Sequence, residues 1–295
     1  MQSISITVSL EDDGKKVKTV LKYRLGFSSH AIGGLTRTEN GIRVNGQRAF
    51  STARLHTGDV LTAEIGDRKP PDEKIIPGNW PLEIIYEDEY LLVVNKPAGM
   101  VALASSFLPE TPTVAGALAY QKGESGIFHV VNRLDKGTTG LMTVAKSGYV
   151  HNLLRKLLHS GEFYREYRGI CIGCPEPESG IIDLPIGRAT DSAVARCIRE
   201  DGAPSVSRYE VLEKTERFAL LRLFPQTGRT HQLRLHMSAV GHPLAGDWLY
   251  GTEDIDLIPR PALHSCAMHL KHPVTGETLE LTAPMPEDMA RLMTL

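Results

Sequence analysis

The 295-residue sequence has no apolar run of membrane-spanning length, which excludes a helical membrane protein. Its first residues, MQSISITVSLEDD, lack the basic start, apolar stretch and small-residue cleavage site of a secretory leader, so a cytoplasmic location is expected. Cysteine is scarce: four residues are too few for a disulfide framework at this length. Cys171 and Cys174 share a C-x-x-C spacing, but Cys197 and Cys266 stand alone, so the second ligand pair of a structural zinc site is missing. Pro175 and the strand-like stretch before the pair also deny it the helix start of a redox site. All four are read as reduced thiols, and neither metal nor cofactor is expected. An excess of positive charge is missing too. A formal net charge of −2 argues against a protein that binds nucleic acid through its whole surface.

What is present is distributed unevenly. Between Gly14 and Thr38 there is no acidic residue, while Lys15, Lys16, Lys18, Lys22, Arg24 and Arg37 are basic, which predicts one local face for a polyanion. A second acid-free stretch, Arg217 to Gly246, carries Arg217, Arg222, Arg229 and Arg234 with three histidines among them. Either run alone reads as a solvated face. Apolar residues at 41% and charged residues at 23% are those of an ordinary globular protein, and the length accommodates a small domain followed by a larger one.

The hydrophobic pattern supports that division. Ile4, Ile6, Val8 and Leu10 alternate as in a half-buried strand; Val17, Val20, Leu21 and Leu25 follow helical spacing up to Gly26; Ser28 can cap a second short helix. Ile42-Arg43-Val44 followed by Asn45-Gly46 predicts a hairpin, and Val60 to Ile65 a further strand. Residues 1–68 thus form a small α/β unit. Residues 69–81, rich in Pro and charge, are read as a linker, and 82–295 as the larger domain. In it Leu82–Tyr86 and Tyr90–Asn95 are strands around the acidic turn Glu87-Asp88-Glu89, and Thr113–Gln121 is a helix. Leu141–Ala145 is a strand, and Ser147 caps a helix with a stripe of Val150, Leu153, Leu154, Leu157 and Leu158. Phe163–Ile172, Ser205–Glu213 and Phe218–Phe224 are strands, and a helix over Thr230–Val240 ends at Gly241. Strands and helices mix without βαβ alternation, so the fold class is α+β with a mixed, mainly antiparallel sheet and flanking helices.

Two segments carry chemistry. Asn132-Arg133-Leu134-Asp135-Lys136-Gly137-Thr138-Thr139-Gly140 places a carboxylate between two cations and then two glycines. By spacing alone it reads first as a turn held by local salt bridges. A carboxylate so flanked stays ionised at neutral pH and could equally be a nucleophile or general base. In Gln226-Thr227-Gly228-Arg229-Thr230-His231-Gln232-Leu233-Arg234-Leu235-His236, a glycine and a capping threonine stand at a helix start among guanidinium and imidazole groups. Such a start attracts anions. His231 and His236 are five apart, not the four of zinc-binding helical pairs, so the alternatives are anion capture by Arg229 or an exposed polar face.

The stretch His129–Lys146 resembles the signature loop of the RluA family of pseudouridine synthases, HRLD followed after two residues by TSGL and a strand ending in AK. EDEYLLVVNKPAG (87–99), FYREY (163–167), the TGRTHQ segment within 226–242, and LHSCAMHLKHP with TGETLELTAPMP (263–286) resemble four further motifs in the same order, so the resemblance spans roughly residues 82–286. The sequence departs from the family pattern at Asn132 for His, Gly137 for an acidic residue, Thr139 for Ser and Arg165 for Lys. SSHAIGGL, GIRVNGQ and HTGDVL in the first unit are similar to the RNA-binding module of small-subunit ribosomal protein four, which implies that Lys18, Lys22, Arg37 and Arg43 face RNA phosphates.

The resemblance implies isomerisation of specific uridines in structured ribosomal or transfer RNA, without cofactor, by a monomer that needs neither membrane nor protein partner. Asp135 falls at the family's catalytic position, acting on the ribose either by bonding to the anomeric carbon or by removing a neighbouring proton. Arg229 is expected to pair with Asp135 and Tyr167 to stack on the uracil. Asn132, Arg133, Thr138, Thr139, His231, Gln232, Arg234 and Leu263 are the implied substrate-binding residues. Rival readings are a non-catalytic RNA-binding or assembly factor on the same scaffold, and a hydrolytic nucleosidase or glycosidase, for which a second cooperating carboxylate near the loop is not evident.

Overall fold

The structure, a computed structural model, describes residues 2–67, 75–103, 111–123, 128–190, 192 and 194–295. Its first unit runs β1 (Ser3–Thr7), α1 (Val17–Tyr23), α2 (Ser29–Thr36), β2 (Ile42–Val44), β3 (Gln47–Arg48) and β4 (Val60–Glu64). Local chemistry fixes these elements: Ser28 accepts the Ala31 N–H at 3.1 Å to cap α2, and Asn45 and Gly46, both at positive φ, make the tight turn between β2 and β3. β1 pairs antiparallel with β4, so the four strands form one sheet in the order β1-β4-β2-β3. Leu10, expected in the first strand, instead opens a short 3-10 turn and is exposed, because the chain leaves the sheet after Thr7. Val17, Val20, Leu21, Phe27, Leu55 and Leu61 are fully or nearly fully buried between this sheet and its helices.

The remainder follows as β5 (Glu83–Glu87), β6 (Leu91–Lys96), α3 (Val114–Lys122), β7 (His129–Val130), β8 (Thr139–Ala145), α4 (Gly148–Ser160) and β9 (Phe163–Ile172). After these come β10 (Ser179–Asp183), β11 (Ile186–Arg188), β12 (Arg196–Ile198), β13 (Val206–Lys214), β14 (Phe218–Pro225), α5 (Gln232–Ala239), β15 (Leu263–Lys271), β16 (Thr278–Thr282) and α6 (Glu287–Ala290). Ten of these strands build one sheet around the path β10-β13-β14-β9-β15-β8-β6-β5, with β16 beside β15 and β7 beside β8. The antiparallel pairings and flanking helices are those of the α+β class. Thr113 and Ser147 cap α3 and α4 by accepting the N–H groups of Gly116 and Val150. β7, β10, β11, β12, β15 and β16 were not read as strands from the sequence; β11 and β12 form a separate two-stranded ribbon.

One junction positions everything below. β8 and β15 run parallel where they meet, pairing Thr139 with His264 and Gly140 with Ser265, while the other pairings among the described strands are antiparallel. A Cβ on Gly140 would stand 2.2 Å from the Ser265 carbonyl oxygen, and its φ is +106°, so the approach requires glycine.

The two units touch along α4. The Tyr149 hydroxyl donates to Leu25 O at 2.7 Å, Lys156 Nζ to Gly26 O at 2.9 Å, and the Phe27 and Tyr149 rings lie 4.3 Å apart. Of the segment read as a linker, residues 69–74 lie outside the described residues, and Trp80 near its end packs on the core of the larger unit. Among the described residues no helix is long and apolar enough to cross a membrane.

Candidate active site

Asp135 sits in the turn that leads into β8, and the turn is held from several sides. Thr138 N–H donates to Asp135 O at 3.1 Å, Gly99 N–H to Lys136 O at 2.9 Å, and Arg260 Nη1 to Gly137 O at 3.2 Å. Lys96, entirely buried at the end of β6, gives its ammonium to Pro97 O and Met100 O at 2.8 Å each and reaches Lys136 O at 3.4 Å. Burial pushes its pKa down to about 7; the Asp135 carboxylate pulls it upward and Arg260 adds to the fall. Arg260 is itself clamped by Asp288 through Nε and Nη2, each at 2.7 Å.

The guanidinium facing Asp135 belongs to Arg234. Its Nη1 lies 3.3 Å from Asp135 Oδ2, while Nε and Nη2 form a two-pronged pair with the fully buried Asp247 at 2.7 Å each. Asp247 also accepts the N–H groups of Leu249 and Tyr250. Burial alone would lower the Arg234 pKa, but Asp247 and then Asp135 outweigh it and raise the value. Arg229, expected in this role, is exposed and donates through Nε to Pro204 O at 3.2 Å. The physical reason is the start of α5: the chain turns sharply at His231, φ +58°, so Arg234 falls on the buried first turn of the helix and Arg229 lies before the kink.

The other residues singled out from sequence divide into four groups. His231 joins the site, with Nε2 3.9 Å from Asp135 Oδ1 and Nδ1 2.9 Å from the Tyr250 hydroxyl; burial lowers its pKa. Tyr167 on β9 and Leu263 on β15 are buried in the same core cluster as Leu134, next to Asp135. Gln232, Asn132 and Thr139 brace backbone and neighbours. Gln232 Oε1 accepts from Arg229 N and Thr227 Oγ1 while its amide donates to Val206 O and Ser207 Oγ. That arrangement, rather than a threonine cap, closes the start of α5. Asn132 Oδ1 accepts Thr143 N–H at 2.8 Å, and Thr139 Oγ1 bonds His264 Nδ1 at 2.8 Å. Thr138 is buried, and Arg133 is exposed beside the turn.

On the first unit Lys18 and Lys22 are exposed four residues apart on α1, and Arg37 is exposed at the end of α2. Arg43 is half-buried opposite Arg48. Lys15 and Arg24, from the same acid-free run, are instead neutralised by Asp12, which lies just upstream of it.

Lys96, Asp247, Tyr250 and Arg260 escaped the reading by sequence. For Asp247 there was a signal: the long acid-free stretch ends at Gly246, and the carboxylate that interrupts it is the one the buried arginine needs. Chemically, the site presents one partly accessible carboxylate against an immobilised cation, beside Leu134 of the main core cluster.

A family model described as RNA pseudouridylate synthase matches residues 90–239. Over 279 residues the chain is 34% identical to the uncharacterized RNA pseudouridine synthase YjbO of Bacillus subtilis, covering 93% of this chain and 98% of that one. It is 37% identical over 253 residues to the ribosomal large subunit pseudouridine synthase D of Vibrio vulnificus, covering 80% and 76%. Among solved structures, human RNA pseudouridylate synthase domain containing 1 aligns with a TM-score of 0.57 at 28% identity, over 73% of this chain and 86% of that one.

Proposed function

This chain belongs to the RNA pseudouridylate synthase family, and on that premise we propose that it isomerises uridines of large-subunit ribosomal RNA with Asp135 as the reacting carboxylate. The observation that carries the reading is the 3.3 Å pair between Asp135 and Arg234, whose other two nitrogens are fixed by Asp247. A carboxylate held against an immobilised cation, with one side still open, suits a group that must act on a ribose without moving. The relatives named for the large ribosomal subunit support the choice of RNA.

The reaction breaks the bond from uracil N1 to ribose C1′ and forms one from uracil C5 to the same carbon. C5 loses its hydrogen as a proton and N1 gains one, so nothing is oxidised and no co-reactant is consumed. Asp135 acts at the ribose and Arg234 balances its charge as the bond to the base changes. Tyr167, in the same core cluster as Leu134, is assigned the stacking on the uracil. A uridine within structured RNA must leave its stack to reach the carboxylate, a step costing about a few kcal/mol. Phosphate contacts repay that cost. Arg133 and Arg229, both exposed, are suited to them.

Residues 1–68 are assigned in the same proposal to an RNA-binding module of the ribosomal-protein-four type, joined through 69–81 to a catalytic domain over 82–295. The exposed Lys18, Lys22 and Arg37, with Arg43, are its phosphate contacts. The protein acts as a monomer in the cytoplasm. Mapping pseudouridine in the ribosomal RNA of cells with and without the gene tests the assignment. A large-subunit position that loses its modification supports it; loss confined to transfer RNA overturns the choice of substrate.

A further inference from the structure

Asp135 is faced by Arg234 and His231, and Tyr250 touches both of them. Tyr250 lies on the turn that follows Asp247. The Arg234 guanidinium carbon stands 5.3 Å from the centre of its ring, and its hydroxyl lies 2.9 Å from His231 Nδ1. The same hydroxyl oxygen accepts the backbone N–H of Arg196, at 2.8 Å, from the β11–β12 ribbon.

That last bond favours one direction for the hydroxyl's contact with His231. With its oxygen already accepting from Arg196, the Tyr250 hydroxyl has its hydrogen free for an acceptor, and the acceptor in place is His231 Nδ1. A neutral imidazole that accepts at Nδ1 carries its hydrogen on Nε2. Nε2 is the atom turned to Asp135 Oδ1, at 3.9 Å, beyond hydrogen-bond length but within a small closure of it. His231 is neutral because burial disfavours its cation; Arg234 and Arg196 add to that effect, while Asp135 and Asp247 oppose it. Its backbone is held at φ +58°, a left-handed conformation that non-glycine residues rarely adopt and that is found where a side chain must be aimed.

We infer that Tyr250 is a positioning residue of the reaction: anchored by the Arg196 N–H, it fixes His231 as the Nε2–H tautomer and so presents a donor to Asp135 Oδ1 while Arg234 takes Oδ2. The inference rests on the reading of Asp135 as the reacting carboxylate. Each carboxylate oxygen then has its own donor, and the anchor ties the pair to the β11–β12 ribbon.

Three measurements test it, all on the full chain. Selective 15N labelling of the eleven histidines and long-range 1H–15N correlation, with His231→Gln to assign the signal, is expected to show His231 of the wild type as the Nε2–H tautomer. In Tyr250→Phe that signal should shift toward a mixture. Turnover is read as tritium released from [5-3H]uridine RNA prepared from cells lacking the gene. Tyr250→Phe should lower kcat by about tenfold or more, as loss of an outer hydrogen-bond partner does, with KM little changed. Glutamine offers an N–H at the same reach and has no tautomers. The double variant Tyr250→Phe/His231→Gln should therefore be no slower than His231→Gln alone. An Nδ1–H tautomer in the wild type overturns the inference even if Tyr250→Phe does not fold. Wild-type kcat in Tyr250→Phe, or losses that multiply in the double variant, overturn it as well. If Asp135→Ala were fully active, the reading of the carboxylate would fail instead; an inactive Asp135→Ala beside an unimpaired Tyr250→Phe would refute only the role of Tyr250.

Discussion

Arg234 reaches Asp135 with one nitrogen, Nη1 at 3.3 Å, because the rest of its fork is committed to Asp247. The proposed catalytic contact is thus the free arm of a buried ion pair, which holds the cation in place. Arg234→Lys loses the fork and should lower kcat by about a hundredfold or more, as removal of one preorganised donor does. Arg229→Ala should keep kcat within a few-fold and act on KM. Tritium release at saturating RNA separates the two; equal losses in kcat would contradict the assignment of Arg234 over Arg229.

Asp247→Asn removes the charge opposite a guanidinium that is almost wholly buried. The unbalanced cation should cost about 3–5 kcal/mol of stability. Urea unfolding checks this, and a midpoint within error of the wild type would show that Asp135 alone suffices to hold Arg234.

Burial of Lys96 makes stability depend on pH in a defined direction. Its folded pKa, about 7, lies below the ordinary 10.5, so between these values the unfolded chain binds the extra proton and the folded state gains stability as pH rises. Below pH 7 both states are protonated and the penalty is at its full value. Relative to Lys96→Met, which has no such group, the wild type should gain on the order of a few kcal/mol between pH 7 and 10. Parallel unfolding profiles for the two proteins would contradict this.

How much of this was readable in advance depended on distance along the chain. The caps at Ser28 and Ser147 and the Asn45-Gly46 turn involve partners within a few residues, and the sequence showed them. The Asp135 loop was visible because charge and glycine are concentrated in it. Its partner was misjudged because Arg229 and Arg234 are equivalent until the fold places a left-handed residue, His231, between them. Tyr250, Lys96 and Arg260 reach the site from distant segments and no local pattern marks such pairings, while Asp247 was marked only by the end of the acid-free stretch at Gly246. The parallel junction of β8 with β15 is of the same kind, and only the two glycines of the loop hinted at a close approach.

Gly140 tests that junction. An alanine there places its Cβ on the Ser265 carbonyl and adopts a φ of +106°. We expect Gly140→Ala to destabilise the fold by more than about 3 kcal/mol, measured by urea unfolding. A neutral effect would mean that β8 and β15 do not approach so closely.

On the first unit, Lys18, Lys22 and Arg37 are exposed. Replacing all three by alanine should weaken RNA binding and reduce the slope of log affinity against log salt by about one for each phosphate no longer neutralised. An unchanged slope would remove the unit from the RNA interface.

The most direct measurement concerns Asp135 itself. Asp135→Asn keeps the size and the hydrogen-bonding shape of the side chain and removes its charge. It should bind RNA from cells lacking the gene and release no tritium from its [5-3H]uridine, while the wild type releases one tritium for each pseudouridine formed. Release by Asp135→Asn at the wild-type rate would contradict a catalytic role for the carboxylate.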